Sequence, residues 1–86
     1  MNWYTYRAFM EILSVINNIA KKKKMAVTIN DSNINKSYKE LGIDSLDLFD
    51  IIVELESEFN IEFSDEKLMK IKTINDLILY IKELKK

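Results

Sequence analysis

The 86-residue chain has no cysteine, no histidine and no proline, and it has a single glycine, Gly42, and a single arginine, Arg7. Without cysteine there is no disulfide, no thiolate nucleophile and no Cys-based zinc site, and the redox compartment cannot be read. Without histidine the usual general base and the commonest metal ligand are missing too. What remains carries no triad, zinc or phosphate-loop signature, so a self-sufficient enzyme is not expected. Scarce glycine and absent proline argue against a many-turned β-sandwich or barrel and for helices. No apolar run reaches the roughly 18 residues that mark a membrane span. The amino-terminal apolar stretch is broken by Glu11 and Asn17-Asn18, and its lysines follow it instead of preceding it. It does not read as a signal peptide, and a cytoplasmic location is expected by default.

Hydrophobic residues make up 48% of the chain and charged residues 31%, a balance that fits one globular domain over residues 1–86 with a modest core. The net charge of −1 conceals a segregation. Residues 1–43 carry seven basic and three acidic side chains, and residues 67–86 carry six basic and two acidic. Residues 44–66 hold nine acids and no base. The local field of this middle segment, more than the net charge, should govern partner choice.

The apolar spacing of Tyr6, Phe9, Ile12, Leu13, Ile16, Ile19 and Ala20 predicts an amphipathic helix over residues 3–20. Lys21 to Lys24 are expected to end it, their charges complementing the helix carbonyls. A nucleic-acid or lipid-headgroup patch is the alternative, but no arginine and little aromatic interleaving accompany these lysines. Residues 25–43 are rich in Asn, Asp and Ser and lack a helical period, which predicts a long ordered loop. Val27, Ile29, Ile34, Tyr38, Leu41 and Ile43 are its candidate anchors, with Gly42 making a tight turn. A helix over 45–59 follows, capped by Asp44 or Ser45. Ser64 opens a short helix running to about Met69, and Thr73-Ile74-Asn75-Asp76 reads as a capping box before a last helix. Ile74, Leu77, Ile78, Ile81 and Leu84 form that last helix's apolar face. The expected fold is all-α: a four-helix bundle with a long loop between the first two helices and a short third helix.

The second helix has two apolar stripes. At about 100° per residue, Leu48, Ile51, Ile52, Leu55 and Phe59 fall in one arc, wide enough for a core face. Leu46, Phe49 and Val53 form a second stripe roughly 100–160° from the centre of the first. Asp47, Asp50, Glu54 and Ser57 line one margin, and Glu56 lies on the other. The second stripe either packs against another helix or docks a partner, its acidic rim steering a basic surface. Asp50/Glu54 and Glu54/Glu58 are like-charge pairs four residues apart, each unfavourable by roughly 0.2–0.5 kcal/mol. No lysine is expected nearby to relieve them, so folding alone gives no reason to keep them, which favours docking.

Residues 41–84 resemble an acyl carrier protein. The resemblance rests on Gly42-Ile43-Asp44-Ser45-Leu46, the acidic helix that follows, the Glu58-Phe59-Asn60-Ile61-Glu62-Phe63-Ser64-Asp65-Glu66 stretch and the Thr73-capped final helix, all at matching spacings. Residues 35–41 resemble the loop that leads into that family's modification site. The resemblance implies covalent attachment of 4′-phosphopantetheine to Ser45, within Asp44-Ser45-Leu46, the arm's thiol carrying acyl groups as thioesters. The residues agree: the chain has no sulfur nucleophile of its own, and a helix N-terminus favours a phosphodiester's charge. With no histidine to activate Ser45, a separate phosphopantetheinyl transferase (a holo-acyl-carrier-protein synthase) must supply the base, coenzyme A and magnesium.

By the same resemblance the partner face comprises Leu46, Phe49, Asp50, Val53, Glu54 and Glu56, met by acyl-transferring and fatty-acid synthesis enzymes with basic patches. Short acyl chains would be sheltered on the apolar side of the second helix, near Ile52 and Leu55. The chain departs from the family in its near-neutral charge, in Lys21 to Lys24, in Ser64 where a proline is common, and in an N-terminal helix, with Trp3, Tyr4 and Tyr6, that matches only in amphipathic character. The reading is a monomeric carrier for fatty-acyl or related intermediates, with no nucleic-acid partner and no stable membrane insertion. Other cargo (polyketide, aminoacyl or D-alanyl) and an adaptor role in another complex are the alternatives.

Overall fold

Three of the helices begin where a short polar side chain satisfies an orphan N–H group of the first turn. The computed structural model describes the backbone of residues 3–85 and the side chains of residues 7–85. Its helices, in chain order, are α1 (Trp3–Lys22), α2 (Ser45–Phe59), α3 (Asp65–Leu68) and α4 (Ile74–Leu84). Asp44 caps α2, its Oδ1 accepting from the Asp47 N–H at 2.9 Å. Ser64 caps α3 through the Lys67 N–H at 3.2 Å. Thr73 and Asp76 form a reciprocal capping box on α4, and Asp76 Oδ2 also accepts from the Lys72 N–H. The expected all-α architecture with a short third helix is observed. The side chains of Trp3, Tyr4 and Tyr6 lie outside the described residues.

The helix ends depart from expectation in an instructive way. α1 runs on to Lys22, so Lys21 and Lys22 occupy its last turn, where their charges complement the dipole. Lys24 then adopts a left-handed conformation, φ 60°, with Lys24 N–H donating to Lys21 O and Met25 N–H to Ala20 O. That bond pair is the Schellman termination, which glycine ordinarily serves. Lys24→Gly should therefore raise stability by about 1 kcal/mol, read as a higher urea midpoint with an unchanged slope. Asn60 closes α2 in the same left-handed conformation.

The core is one contiguous cluster. Ile12, Leu13, Ile16 and Ile19 of α1 meet Ile51, Ile52 and Leu55 of α2 and Ile74, Leu77, Ile78 and Ile81 of α4. α1 packs against both α2 and α4. Leu84, expected on the α4 face, is exposed at the last residue of that helix.

The long connection from α1 to α2 is fastened at both ends. Ile29, Ile34, Tyr38 and Ile43 are buried, while Val27 and Leu41 pack partly against the core. Asn17, which breaks the apolar stripe of α1 in sequence, holds the loop through both its amide atoms: Nδ2 donates to Ile29 O at 2.9 Å, and Oδ1 accepts from Ile29 N–H at 2.7 Å. Further on, Ser37 pairs with Thr73 in an isolated antiparallel bridge, and Asn75 N–H donates to Ile34 O at 3.0 Å. The Tyr38 hydroxyl donates to Thr73 O at 3.2 Å. The segment leading into α2 is thus seated on the start of α4.

A smaller box organises residues 37–40. Ser37 N–H donates to Glu40 Oε1 and Glu40 N–H donates to Ser37 Oγ. The Ser37 backbone N–H, foremost, holds the Glu40 carboxyl below its ordinary value. This turn contributes to stability above the ordinary carboxylate range, and the contribution is lost as pH falls through the lowered value. Tyr38 titrates in the opposite sense: burial, and secondarily the charge of Asp76, push its phenol upward. The folded chain keeps that proton after an unfolded tyrosine has lost it, so stability holds below about pH 10 and declines above it. Tyr38→Phe should cost about 1 kcal/mol at neutral pH and make the alkaline decline of the denaturation midpoint shallower.

Candidate functional site

At the head of α2 three consecutive residues take three different roles. Ile43 is buried and anchors the loop, Asp44 spends a carboxylate oxygen on the first turn, and Ser45 stands exposed as the first helical residue. Gly42, at φ 79°, supplies the turn that lets Ile43 point inward immediately before the helix starts. Because Asp44 is the cap, the Ser45 hydroxyl is not committed to that task. The sequence left Asp44 and Ser45 open as caps, and the structure selects Asp44.

Beside Ser45 lies an open groove of about 430 Å³ lined by Tyr38, Lys39, Gly42, Ile43, Asp44, Ser45 and Leu48. It offers an apolar wall from Ile43 and Leu48 and a cation from Lys39. The uncapped N–H groups of the first turn favour a negative charge at the same end. An exposed primary hydroxyl, a positive helix end and a partly apolar groove suit a phosphodiester followed by a flexible arm. The residues present fit such a group.

Along the rest of α2 the two stripes separate cleanly. Leu55 is completely buried, and Ile51 and Ile52 are buried beside it, whereas Leu46, Phe49 and Val53 are 76%, 56% and 61% exposed. Among the described residues, the second stripe is covered by no other helix. Such a strip is a candidate interaction surface. Asp50 is exposed and Asp47 half-buried along its margin.

Two of the acids behave differently from the expectation. Glu54 does have lysines nearby: its Oε2 lies 3.5 Å from Lys22 Nζ and its Oε1 3.8 Å from Lys23 Nζ. Contrary to expectation, the like-charge strain along α2 is thereby relieved by two lysines from the end of α1. Glu56 is occupied too. Its Oε2 accepts from the Phe63 N–H at 3.0 Å, while its backbone oxygen accepts from Asn60 and Ile61. Half-buried, it fastens the connection between α2 and α3. Ile52 and Leu55 are ordinary core residues in this conformation.

The Lys22–Glu54 and Lys23–Glu54 contacts join helices far apart in sequence, and no local spacing announces them. The Ser37–Glu40 box, by contrast, follows the S-x-x-E pattern and could have been read directly. Among the described residues no group of three or more acidic side chains is placed to hold a metal ion, and no helix is long and apolar enough to cross a membrane.

Comparison with known proteins agrees with the geometry. A family model described as "Phosphopantetheine attachment site" matches residues 14–81. The chain is 50% identical over 74 residues to a protein of Mycoplasma genitalium named "Acyl carrier protein homolog", a match spanning 86% of this chain and 88% of that protein. A protein of the same name from Mycoplasma pneumoniae is 46% identical over an equal span. The "Acyl carrier protein" of Thermotoga maritima is 36% identical over 76 residues, 85% of this chain and 90% of that protein. The capped helix, the exposed serine and these matches across most of the sequence lead to one conclusion: the chain belongs to the acyl carrier protein family, carriers and not enzymes, whose covalent cofactor is 4′-phosphopantetheine.

Proposed function

We propose that Ser45 bears the 4′-phosphopantetheine and that the chain carries acyl intermediates of fatty-acid or related lipid synthesis between cytoplasmic enzymes. The observation that supports this most is the exposed Ser45 hydroxyl at the first position of α2, freed from capping by Asp44 and bordered by a groove. When attached, the arm supplies a thiol that holds an acyl group as a thioester.

The chain's own part is presentation. Asp44 and the buried Ile43 fix where Ser45 stands, and the first-turn N–H groups favour the phosphate's charge there. No histidine exists to take the proton from Ser45 Oγ, so that base belongs to the transferase. Leu46, Phe49 and Val53 offer contact area beside the serine, and Asp47 and Asp50 attract a basic surface toward it. Glu54 joins this acidic margin only in part, being shared with Lys22 and Lys23.

The test is intact mass after incubation with coenzyme A, Mg²⁺ and a broad-specificity phosphopantetheinyl transferase. A gain of one phosphopantetheine unit is expected. No gain, beside a control carrier that is modified, overturns the proposal. The same measurement on protein from its native cell should reveal a fatty-acyl thioester, and an aminoacyl or polyketide adduct would contradict the lipid assignment.

A further inference from the structure

The acidic margin of α2 is not uniform. At its head, next to Ser45, Asp47 and Asp50 border the exposed strip, and among the described residues neither carboxylate is paired with a lysine. About 10 Å further along the axis, at seven residues of 1.5 Å rise, Glu54 is held by two ammonium groups at once. Two ammonium groups thus face one carboxylate there, Asp50 and Glu58 stand one turn to either side, and Lys21 and Lys24 belong to the same lysine run. The arrangement is built into the fold. The Schellman termination at Lys24 stops α1 at the level of Glu54, and Lys23 is largely covered, its side chain 26% exposed. Lys22 remains 72% exposed, available to a second partner.

Resting on the docking role given above to Leu46, Phe49 and Val53, we propose that this face is divided in charge, and that its protein partners present cations to Asp47 and Asp50 but a carboxylate to Lys22 and Lys23. A partner surface that is cationic throughout would meet its like charge at the Val53–Glu54 end. It would also have to displace Lys22 and Lys23 from Glu54. Charges in contact at this spacing are only partly screened at physiological salt, where the screening length is about 8 Å. The division thus selects partners by a repulsive element as well as an attractive one.

Two synthetic amphipathic helical peptides with the same apolar face test this. One carries lysines at both ends, and the other carries lysines at one end and glutamates at the other. Each is titrated into the isotope-labelled wild-type chain and into a Lys22→Gln/Lys23→Gln variant, with backbone amide shifts giving both location and affinity. Glutamine keeps the helical propensity of lysine, and a thermal scan confirms that the variant is folded. The preference for the divided peptide over the all-lysine peptide should fall about fivefold or more in the variant, a comparison that cancels the peptides' difference in net charge. Shifts at Leu46, Phe49 and Val53 with an unchanged preference would overturn the division and leave the docking strip standing. No shift along α2 with either peptide would overturn the strip, and the division with it.

Discussion

Replacing Ser45 with alanine should abolish the gain of phosphopantetheine mass altogether while leaving the bundle folded. Both halves of that result follow from the geometry at the head of α2. The cap is Asp44, whose carboxylate holds the Asp47 N–H, so removing the serine hydroxyl takes no hydrogen bond from the helix start. Ser45 is exposed, so no core contact is lost, and alanine is a good helix former at the first position. The thermal midpoint should move by no more than a few degrees. Loss of modification together with unfolding would mean that Ser45 serves the fold and would remove the reason for assigning it to the cofactor.

The second large effect separates the two stripes of α2. Leu55 and Val53 are two residues apart, yet one is wholly buried and the other 61% exposed. Leu55→Ala removes a completely buried side chain of the core cluster and should cost about 2–5 kcal/mol. In a domain of this size each kcal/mol shifts the thermal midpoint by about 4–8 °C, so the expected fall is tens of degrees. Val53→Ala opens no cavity and replaces a β-branched residue on an exposed helix face with the best helix former, so stability should hold or rise slightly. Its cost should appear in partner binding. Equal destabilisation by the two substitutions would show that the second stripe is packed, and the docking surface would have to be sought elsewhere.

These contrasts were largely legible in the residues, because the features that carry them are local. The spacing of Leu48, Ile51, Ile52 and Leu55 against Leu46, Phe49 and Val53 is a property of one helix and needs no tertiary knowledge. The same holds for the caps: Ser64 and the Thr73–Asp76 box announce α3 and α4 from four-residue patterns. Asn17 is legible only as an interruption of an apolar stripe. That it clamps Ile29 depends on where a loop returns twelve residues later.

The charges were the least legible part. In sequence the acids of α2 stand alone, and the pairing of Glu54 with Lys22 and Lys23 exists only because α1 and α2 pack side by side. Glu56 is assigned to a partner face by the resemblance alone. Its occupation by the Phe63 N–H depends on the reversal of the chain at the left-handed Asn60. Helix periodicity tells which side of a helix a residue takes, and it is silent on what another segment brings to meet it.

The central claim is that one serine, and no other, receives the cofactor. Fragmentation mass spectrometry of the modified chain, after proteolysis, tests it most directly by locating the added group. The account predicts the entire addition on the peptide containing Ser45, with fragment ions bracketing that residue. Addition at Ser37, Ser57, Ser64 or any other hydroxyl would contradict it.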